Sequence, residues 1–474
     1  MRISPPKSET SFDMVSLVVC GLLFSFGNVC LDYTREVCSL HGPIFDPLFL
    51  FLYNDVMRQS ILFTKTQKEA PKGEVARNAI LLIRAGYIYK EMAGVYAYLP
   101  LGLRVLRNIE RIIREEMDAV GGQELLLTSL QSQAVWEKTG RWSDDVIDNW
   151  FKTKLVDETP LGIASTHEEP LTNLLTHYAS SHRDFPLYIY QFQTKFRNEL
   201  RAKSGIMRGR EFVMKDLYSF CRNEEEHAAF YARMKEAYTN VFKRVGIGEQ
   251  TYFTYASGGS FSKASDEFQT VTDAGEDTIY IDEETRFSIN EEMLDDEASL
   301  KKFNLSKEKL VAKKSAEVGN IFPLGTKFSE AFGLMYRDES GNEKPVIMGS
   351  YGIGLGRVMG TIVEVCADEK GLRWPHEVAP FSAHLVRLGD SETVLTAAEK
   401  TYEELLRAGK EIFYDDRKGV SAGEKLADAD LLGMPMRIVV SEKTIAANAV
   451  EFRDRMDRRV SMVPYGEVFA RIGT

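Results

Sequence analysis

Cysteine and histidine are scarce in this chain, five and seven among 474 residues. Cys20, Cys30 and Cys38 lie near the start, leaving Cys221 and Cys366 for the rest. No CxxC pair and no Cys/His spacing offers a zinc site, and no even framework offers disulfides, so the body reads as a reduced, cytoplasmic protein. Positive charge is short as well. Lys and Arg number 59 against 70 Asp and Glu, which gives a net charge of −11 and a pI near 5.4. That balance excludes broad, nonspecific binding of polyanions and leaves room for a local basic face. Long apolar runs are missing beyond residue 56. The 44% hydrophobic content is enough to bury large cores, and the length suits about two to four domains.

Residues 1–56 differ in character from the rest of the chain. VSLVVCGLLFSFGNVCL (15–31) and PIFDPLFLFLY (43–53) are both apolar. Arg2 and Lys7 precede the first run as in a signal peptide, but no small-x-small cleavage site stands out. As a membrane anchor, its 17 residues fall at the short limit for a bilayer.

The chemistry concentrates in two segments. FRNELRAKSGIMRGREFVMKDLYSF (196–220) has the layout of a hairpin that holds a nucleotide. One strand presents the Arg197 guanidinium to a phosphate, a basic glycine-containing loop closes over it, and the returning strand offers Phe212. Arginine suits the role because its fork bonds two phosphate oxygens and keeps its charge. A solvated hairpin is the bland alternative. The second segment, GSYGIGLGR (349–357), allows close backbone approach and places Arg357 at the start of a helix. A dinucleotide-binding turn fits poorly, because the run lies outside any evident βαβ unit.

Periodicity marks out the remaining elements. NAILLIRAG (78–86) reads as a helix ended by glycine, MAGVY (92–96) and LPLG (99–102) as a strand and turn, and 103–119 as a helix with charge pairs on its open face. Gly121-Gly122 ends it, and QELLLTSL (123–130) reads as a strand. Residues 224–245 form another helix, and 251–281 are strand-rich. The charged stretch 291–314 reads as a surface linker. From Pro380, strands alternate with helices, which predicts a small α/β domain with a largely parallel sheet; RWPHEVAP (373–380) reads as the link into it. Lys443, Arg453, Arg455, Arg458 and Arg459 concentrate positive charge there, as a binding face or as ordinary mixed surface.

Together the two segments resemble motifs 2 and 3 of the class II aminoacyl-tRNA synthetases. Thr166-His167-Glu168-Glu169, QFQTKFRNE, REFVMKDLYSF, Leu324-Gly325-Thr326-Lys327-Phe328-Ser329 and Asp415-Asp416-Arg417-Lys418-Gly419 resemble, in order, the bacterial-type prolyl-tRNA synthetases over roughly residues 57–474. The resemblance implies an α+β fold: a catalytic domain at 57–372, with an antiparallel sheet flanked by helices, a link at 373–379 and an anticodon-binding α/β domain at 380–474. It implies a proline–tRNA ligase that uses ATP and Mg²⁺ and no zinc. L-proline and tRNA(Pro) are its partners, and the enzyme is cytoplasmic, off the membrane and homodimeric. Met57-Arg58-Gln59-Ser60-Ile61-Leu62-Phe63 resembles the family's usual opening, so translation is expected to begin at Met57. Many bacterial relatives carry an editing domain where this chain has about two dozen residues, 291–314, far below domain size. A separate deacylase is then expected to clear mischarged tRNA.

The same resemblance assigns roles. Arg197 would take the α-phosphate and Arg357 the γ-phosphate and one face of the adenine, with Phe212 on the other face unless it is a core residue. Glu199, Arg208, Glu211, Gln269 and Gly354 complete the ATP set. Thr166, Glu168, Arg197, Asp266, Phe328 and Ser350 would line the proline site, and Glu267 is a metal or ribose contact. His167 reads as an orienting residue, since no paired ligands accompany it. Departures from the pattern include Thr128 and Ser132, where the motif 1 strand usually has prolines, Asp266 in place of histidine, and Ser350 in place of cysteine. The rival functions are a threonine, histidine or glycine synthetase, an inactive tRNA-binding paralogue, and a membrane-tethered form using residues 15–31. Retention of both arginines weighs against the paralogue.

Overall fold

The computed structural model describes residues 58–472 apart from 201, 259–263 and 458. The chain divides between Ile61 and Leu62, and every helix and strand named here belongs to the second unit. The N-terminal apolar runs and the expected start at Met57 lie outside the described residues. Among those residues, no helix is long and apolar enough to cross a membrane.

Helix α1 (Arg77–Arg84) buries Ala79, Leu81 and Leu82 and stops where Gly86 turns to φ +71°. A hairpin of β1 (Ile88–Met92) and β2 (Val95–Tyr98) comes next. Residues 99–102 are not a turn: α2 (Pro100–Ala119) already begins at Pro100, whose fixed φ suits a first helical turn. Its buried stripe runs from Leu101 through Val105, Ile109 and Ile112 to Met117.

The strand expected over 123–130 is mostly absent. β3 (Gln123–Glu124) pairs in parallel with Ile189–Tyr190, and then the ladder ends. The Gln191 and Gln193 side chains take over, accepting from Leu127 N at 3.0 Å and donating to Leu127 O at 2.5 Å. β4 (Leu130–Ser132) leaves to join β5 (Lys152–Lys154) and β6 (Pro160–Ile163) in a separate three-stranded sheet. Helix α3 (Glu168–Leu175) comes after it.

The main sheet is built from β7 (Leu187–Phe196), β8 (Glu211–Cys221), β9 (Thr251–Ser257), β10 (Ala264–Val271), β11 (Asp277–Ile281), β12 (Phe287–Asn290), β13 (Val311–Gly325) and β16 (Ile347–Gly354), with β3 at its edge. Between β13 and β16 the small hairpin of β14 (Met335–Arg337) and β15 (Glu343–Pro345) stands apart. The centre is antiparallel, β13–β16–β8–β7. Strand β10 also pairs with β13, so β13, β11, β12, β9 and β10 close a ring of pairings. Helix α4 (Glu224–Arg244), capped by the Asn223 side chain accepting from Glu226 N, packs on β8 and β16. Helix α5 (Leu355–Cys366) runs out of β16.

The stretch 291–314 is folded rather than a loose linker. A short helix at Glu297–Lys302 buries Leu300, Phe303 stacks on Phe287 with centroids 4.7 Å apart, and Val311 already starts β13. Its lysines and acids face outward, which is why the segment looked like plain surface in the sequence.

Residues 367–382 carry no helix or strand. The C-terminal sheet is ordered β18 (Ile412–Asp415), β17 (Ala383–Leu388), β19 (Met436–Ser441), β20 (Ala449–Asp454), β21 (Val460–Pro464). Helices α6 (Glu392–Arg407) and α7 (Ala422–Leu432) supply the crossovers. The sheet is mixed rather than largely parallel: β17 pairs in parallel with β18 and β19, while β20 and β21 return as an antiparallel hairpin. A short helix, Glu442–Ala446, still separates β19 from β20, but β20 runs back antiparallel, and the β20–β21 hairpin needs no crossover helix.

Candidate active site

Strands β7 and β8 place Lys195 opposite Phe212 and Gln191 opposite Asp216. Side chains alternate along a strand, so Phe212, Met214, Asp216 and Tyr218 share one face while Lys215 bonds Tyr238 of α4 from the other. Glu211 lies exposed on the α4 side and does not join the cleft. Helix α5 enters its first turn from Gly354 and brings Arg357 over the same face. The result is a cleft of about 540 Å³. Arg197, Glu199, Arg208, Phe212, Gly354 and Arg357, six of the expected ATP residues, all line it.

Arg357 is held at three points. Its Nε donates to Met207 O at 3.0 Å, and Nη1 donates to Glu317 O at 3.0 Å and Glu317 Oε2 at 2.8 Å. Glu199 accepts from Arg208 Nε and Nη2 at 3.0 and 2.8 Å, while Arg208 Nη1 reaches Glu276 at 2.5 Å. Arg197 differs: its guanidinium carbon lies 5.4 Å from the Phe212 ring centroid, and no acceptor bonds the side chain among the described residues. Burial, then the charge of Arg357, pulls its pKa below the usual arginine value. Two guanidiniums facing one cleft, one of them without an acceptor, call for an anion.

Acids gather beside them. Burial, with repulsion from Glu317, pushes the Glu267 carboxyl up to about 8. Gln269 is fully buried, donating to Glu267 and Asp277 at 2.9 Å each and accepting from Ser315 Oγ at 2.9 Å. It therefore organises the acids and does not line the cleft.

Further along the same face is a second compartment. Glu168, almost wholly buried, accepts from Thr166 Oγ1 at 2.6 Å, Tyr218 OH at 3.3 Å and Ser350 Oγ at 3.4 Å. Tyr218 OH, with its one proton shared between two carboxylates, also lies 3.1 Å from Asp216 Oδ2, which receives Lys195 Nζ at 2.9 Å and Gln191 Nε2 at 3.0 Å; the other Asp216 oxygen is buried without a partner among the described residues. His167 orients: Nε2 lies 3.1 Å from Thr128 O and Nδ1 2.6 Å from Lys195 Nζ. Burial, then Lys195, pushes its pKa down to about 4, so the ring is neutral near pH 7 with both nitrogens engaged by these partners.

Two expected proline contacts stand elsewhere. Phe328 is fully buried in the core with Leu171, Leu175 and Met348, beneath Arg141. Asp266 lies on the opposite face of the sheet, where Tyr231 OH donates to it at 2.8 Å and Lys235 pairs at 3.1 Å. Alternation explains this, because Glu267 on the cleft face forces its neighbour onto the α4 face. Sequence reasoning missed Met214, Asp216, Tyr218, Glu317 and Lys195. Asp216 and Tyr218 were signalled by polarity at every second position of the strand that continues from Phe212, whereas Lys195 on β7 and Glu317 on β13 gain meaning only from strand pairing.

An antiparallel sheet with a two-stranded arginine hairpin and a strand-to-helix arginine opposite it defines a class II aminoacyl-tRNA synthetase. Family models agree: the tRNA synthetase class II core domain (G, H, P, S and T) matches residues 151–366, and the anticodon binding domain matches 378–474. The chain is 35% identical over 441 residues to the proline–tRNA ligase of Caulobacter sp. (strain K31), spanning 88% of this chain and 98% of that one. It is 36% identical to that of Hyphomonas neptunium (strain ATCC 15444), spanning 84% and 95%. The chain belongs to the proline–tRNA ligase family. Its fold is also that of the prolyl-tRNA synthetase of Cryptosporidium parvum, solved with halofuginone and AMPPNP, at TM-score 0.70 and 17% identity over 83% of this chain and 75% of that one. The Giardia lamblia enzyme, solved with prolyl-adenylate, matches at 0.69 and 18%.

Proposed function

We propose that this chain activates L-proline with ATP to prolyl-adenylate, releases pyrophosphate, and transfers the prolyl group to the 3′ end of tRNA(Pro), releasing AMP. The observation that carries the reading is Arg197, which lines the cleft beside Arg357 and has no acceptor among the described residues.

In the first step the carboxylate oxygen of proline attacks the α-phosphorus and the bond to the departing pyrophosphate breaks. The substrate supplies its own nucleophile, so the protein contributes alignment and charge. Arg197 meets the charge that builds on the α-phosphate. Arg357 takes the γ-phosphate and covers the adenine from one side, with Phe212 on the other. Glu168 and Thr166 receive the two N–H groups of the secondary ammonium, while Asp216 is balanced by Lys195. Glu267 and Glu317 fit Mg²⁺, since the repulsion that raises Glu267 is relieved by a cation, and Mg²⁺ is commonly held by one or two carboxylates plus phosphates. Bound there, it would neutralise phosphate charge.

Leu126 and Leu130 are exposed at 74% and 55% beside the open edge of β3, which supports a homodimer through this segment despite Thr128 and Ser132. The enzyme works in the cytoplasm with tRNA(Pro), and a separate deacylase clears alanyl-tRNA, because discriminating a few methylenes supplies only about 1–3 kcal/mol. Amino-acid-dependent ATP–pyrophosphate exchange with proline, alanine, cysteine, threonine, histidine and glycine tests the reading. Exchange led by proline is expected; exchange led by another amino acid, or by none, would overturn it.

A further inference from the structure

Arg141 sits between two glutamates that are adjacent in sequence and unequal in their hold on it. Its Nη1 lies 3.0 and 3.1 Å from the oxygens of Glu169 but 3.5 Å from Glu168 Oε2. All three side chains are almost wholly buried, and the guanidinium is enclosed by the Trp136 and Phe328 rings. Thr139 Oγ1 adds a 2.9 Å bond to Glu169. One cation therefore faces two carboxylates and is committed to Glu169. The closer contacts of Glu168 are hydroxyls, from Thr166, Tyr218 and Ser350. Hydroxyls orient a carboxylate without cancelling its charge.

We propose that Glu169 is a positioning residue: it holds Arg141 off Glu168 and so keeps the Glu168 charge available to the secondary ammonium of proline. The proposal rests on the reading of Glu168 as the ammonium partner. When Glu169 is uncharged, Arg141 closes on Glu168 and takes the place of the substrate's cation. Burial pushes the Glu169 carboxyl up to about 7, with Arg141 opposing the rise and Glu168 adding to it. Those two are the charged groups that face it. His167 is turned to Lys195 and Thr128, Lys138 bonds Asn173 farther along α3, and helix Lys327–Phe332 presents the Phe328 ring with Lys327 5.6 Å from its centre. Acid should then work the same switch, raising the KM for proline as pH falls through neutrality and leaving the KM for ATP alone. The proline ammonium keeps its proton throughout.

The test is ATP–pyrophosphate exchange on the full chain, with proline and ATP varied separately across neutral pH. Glu169→Gln is expected to raise the proline KM about tenfold, the scale of a diverted charge-assisted contact, and to flatten its pH dependence. Its kcat and ATP KM are expected to stay within about twofold, and Glu169→Asp, which keeps the charge, should recover part of the loss. An unchanged proline KM in Glu169→Gln overturns the proposal. Proline and ATP KM rising together, with a lower melting temperature, would make Glu169 merely structural and overturn it too. If the variant fails to fold, the wild-type profile decides, and a flat proline KM overturns the proposal. Wild-type protein with no proline-dependent exchange would sink the parent reading, a separate result seen before any variant is made.

Discussion

Arg357 and Glu317 form an ion pair at the cleft lined by Arg197 and Phe212, with Nη1 2.8 Å from Oε2, while the backbone carbonyl of Glu317 takes the same nitrogen at 3.0 Å. The arginine is thus aimed before any phosphate arrives. Such preorganisation costs no reorganisation during the reaction. Arg357→Ala should lower proline-dependent exchange by about 10²–10³-fold, the usual scale for removing one charge-stabilising donor. Arg357→Lys should recover little, since an ammonium cannot bond Met207 O and Glu317 from one planar fork. Exchange kinetics with ATP varied will show whether the lysine variant recovers more than that.

Arg197 lies over Phe212, and the two should fail differently. Arg197→Ala is expected to abolish adenylation with the fold intact, because no described residue depends on its guanidinium for a hydrogen bond. Phe212→Leu keeps the charge and loses the aromatic face, a stacking loss of about 1–3 kcal/mol per base. It should raise the KM for ATP and spare the KM for proline. Substantial adenylation by Arg197→Ala, or a proline-selective defect in Phe212→Leu, would contradict these roles.

Residues were legible in the sequence to the extent that their signals were local. Arg197, Phe212 and Arg357 were readable because each sits where a strand turns or a helix begins, at a fixed offset from glycine. Asp266 and its neighbour Glu267 were both expected in the site, yet alternation lets only one of two adjacent strand residues face it, and packing of Asp266 against Tyr231 and Lys235 of α4 decides which. Phe328 was taken for a pocket wall, yet only tertiary packing separates a wall from the core beneath it. The strand expected through Leu130 failed because Gln191 and Gln193, more than sixty positions away, replaced its ladder with side-chain bonds. Glu317 went unnoticed because a lone acid in an apolar strand gains meaning only when Arg357 is opposite.

The catalytic and C-terminal parts are joined by Arg455, which pairs at two points with Asp368, Nη1 to Oδ2 at 2.6 Å and Nη2 to Oδ1 at 2.8 Å. Burial acts against the Asp368 charge, but Arg455 more than offsets it and leaves the carboxyl well below its usual range. Removing Arg455 takes the guanidinium from the Asp368 carboxylate but leaves it the Lys370 and Gly371 N–H groups, so Arg455→Ala should cost about 1–3 kcal/mol of stability. Exchange should survive, since neither residue lines the cleft, while tRNA charging should need more tRNA. Thermal melts and paired exchange and aminoacylation assays would check both halves. Equal loss of the two activities would contradict the division.

His384, in the centre of the C-terminal sheet, has both ring nitrogens buried without a hydrogen-bond partner among the described residues and packs on Phe413, with centroids 5.0 Å apart. Burial pushes its pKa down from 6.5 to about 4. The sign is fixed by which state takes the proton. Above pH 6.5 both folded and unfolded chains hold a neutral ring, and the full stability is present. Between 6.5 and about 4 the unfolded chain protonates first, so stability falls with pH. The span corresponds to a loss on the order of 3 kcal/mol. His384→Leu, of similar volume, should leave stability at neutral pH equal or about 1 kcal/mol higher, because no buried polar atom is left unpaired. It should also shrink the acid-side slope. Urea unfolding of both proteins from neutral pH down toward 4 would measure the difference, and parallel curves would show that the unpaired imidazole is not what titrates.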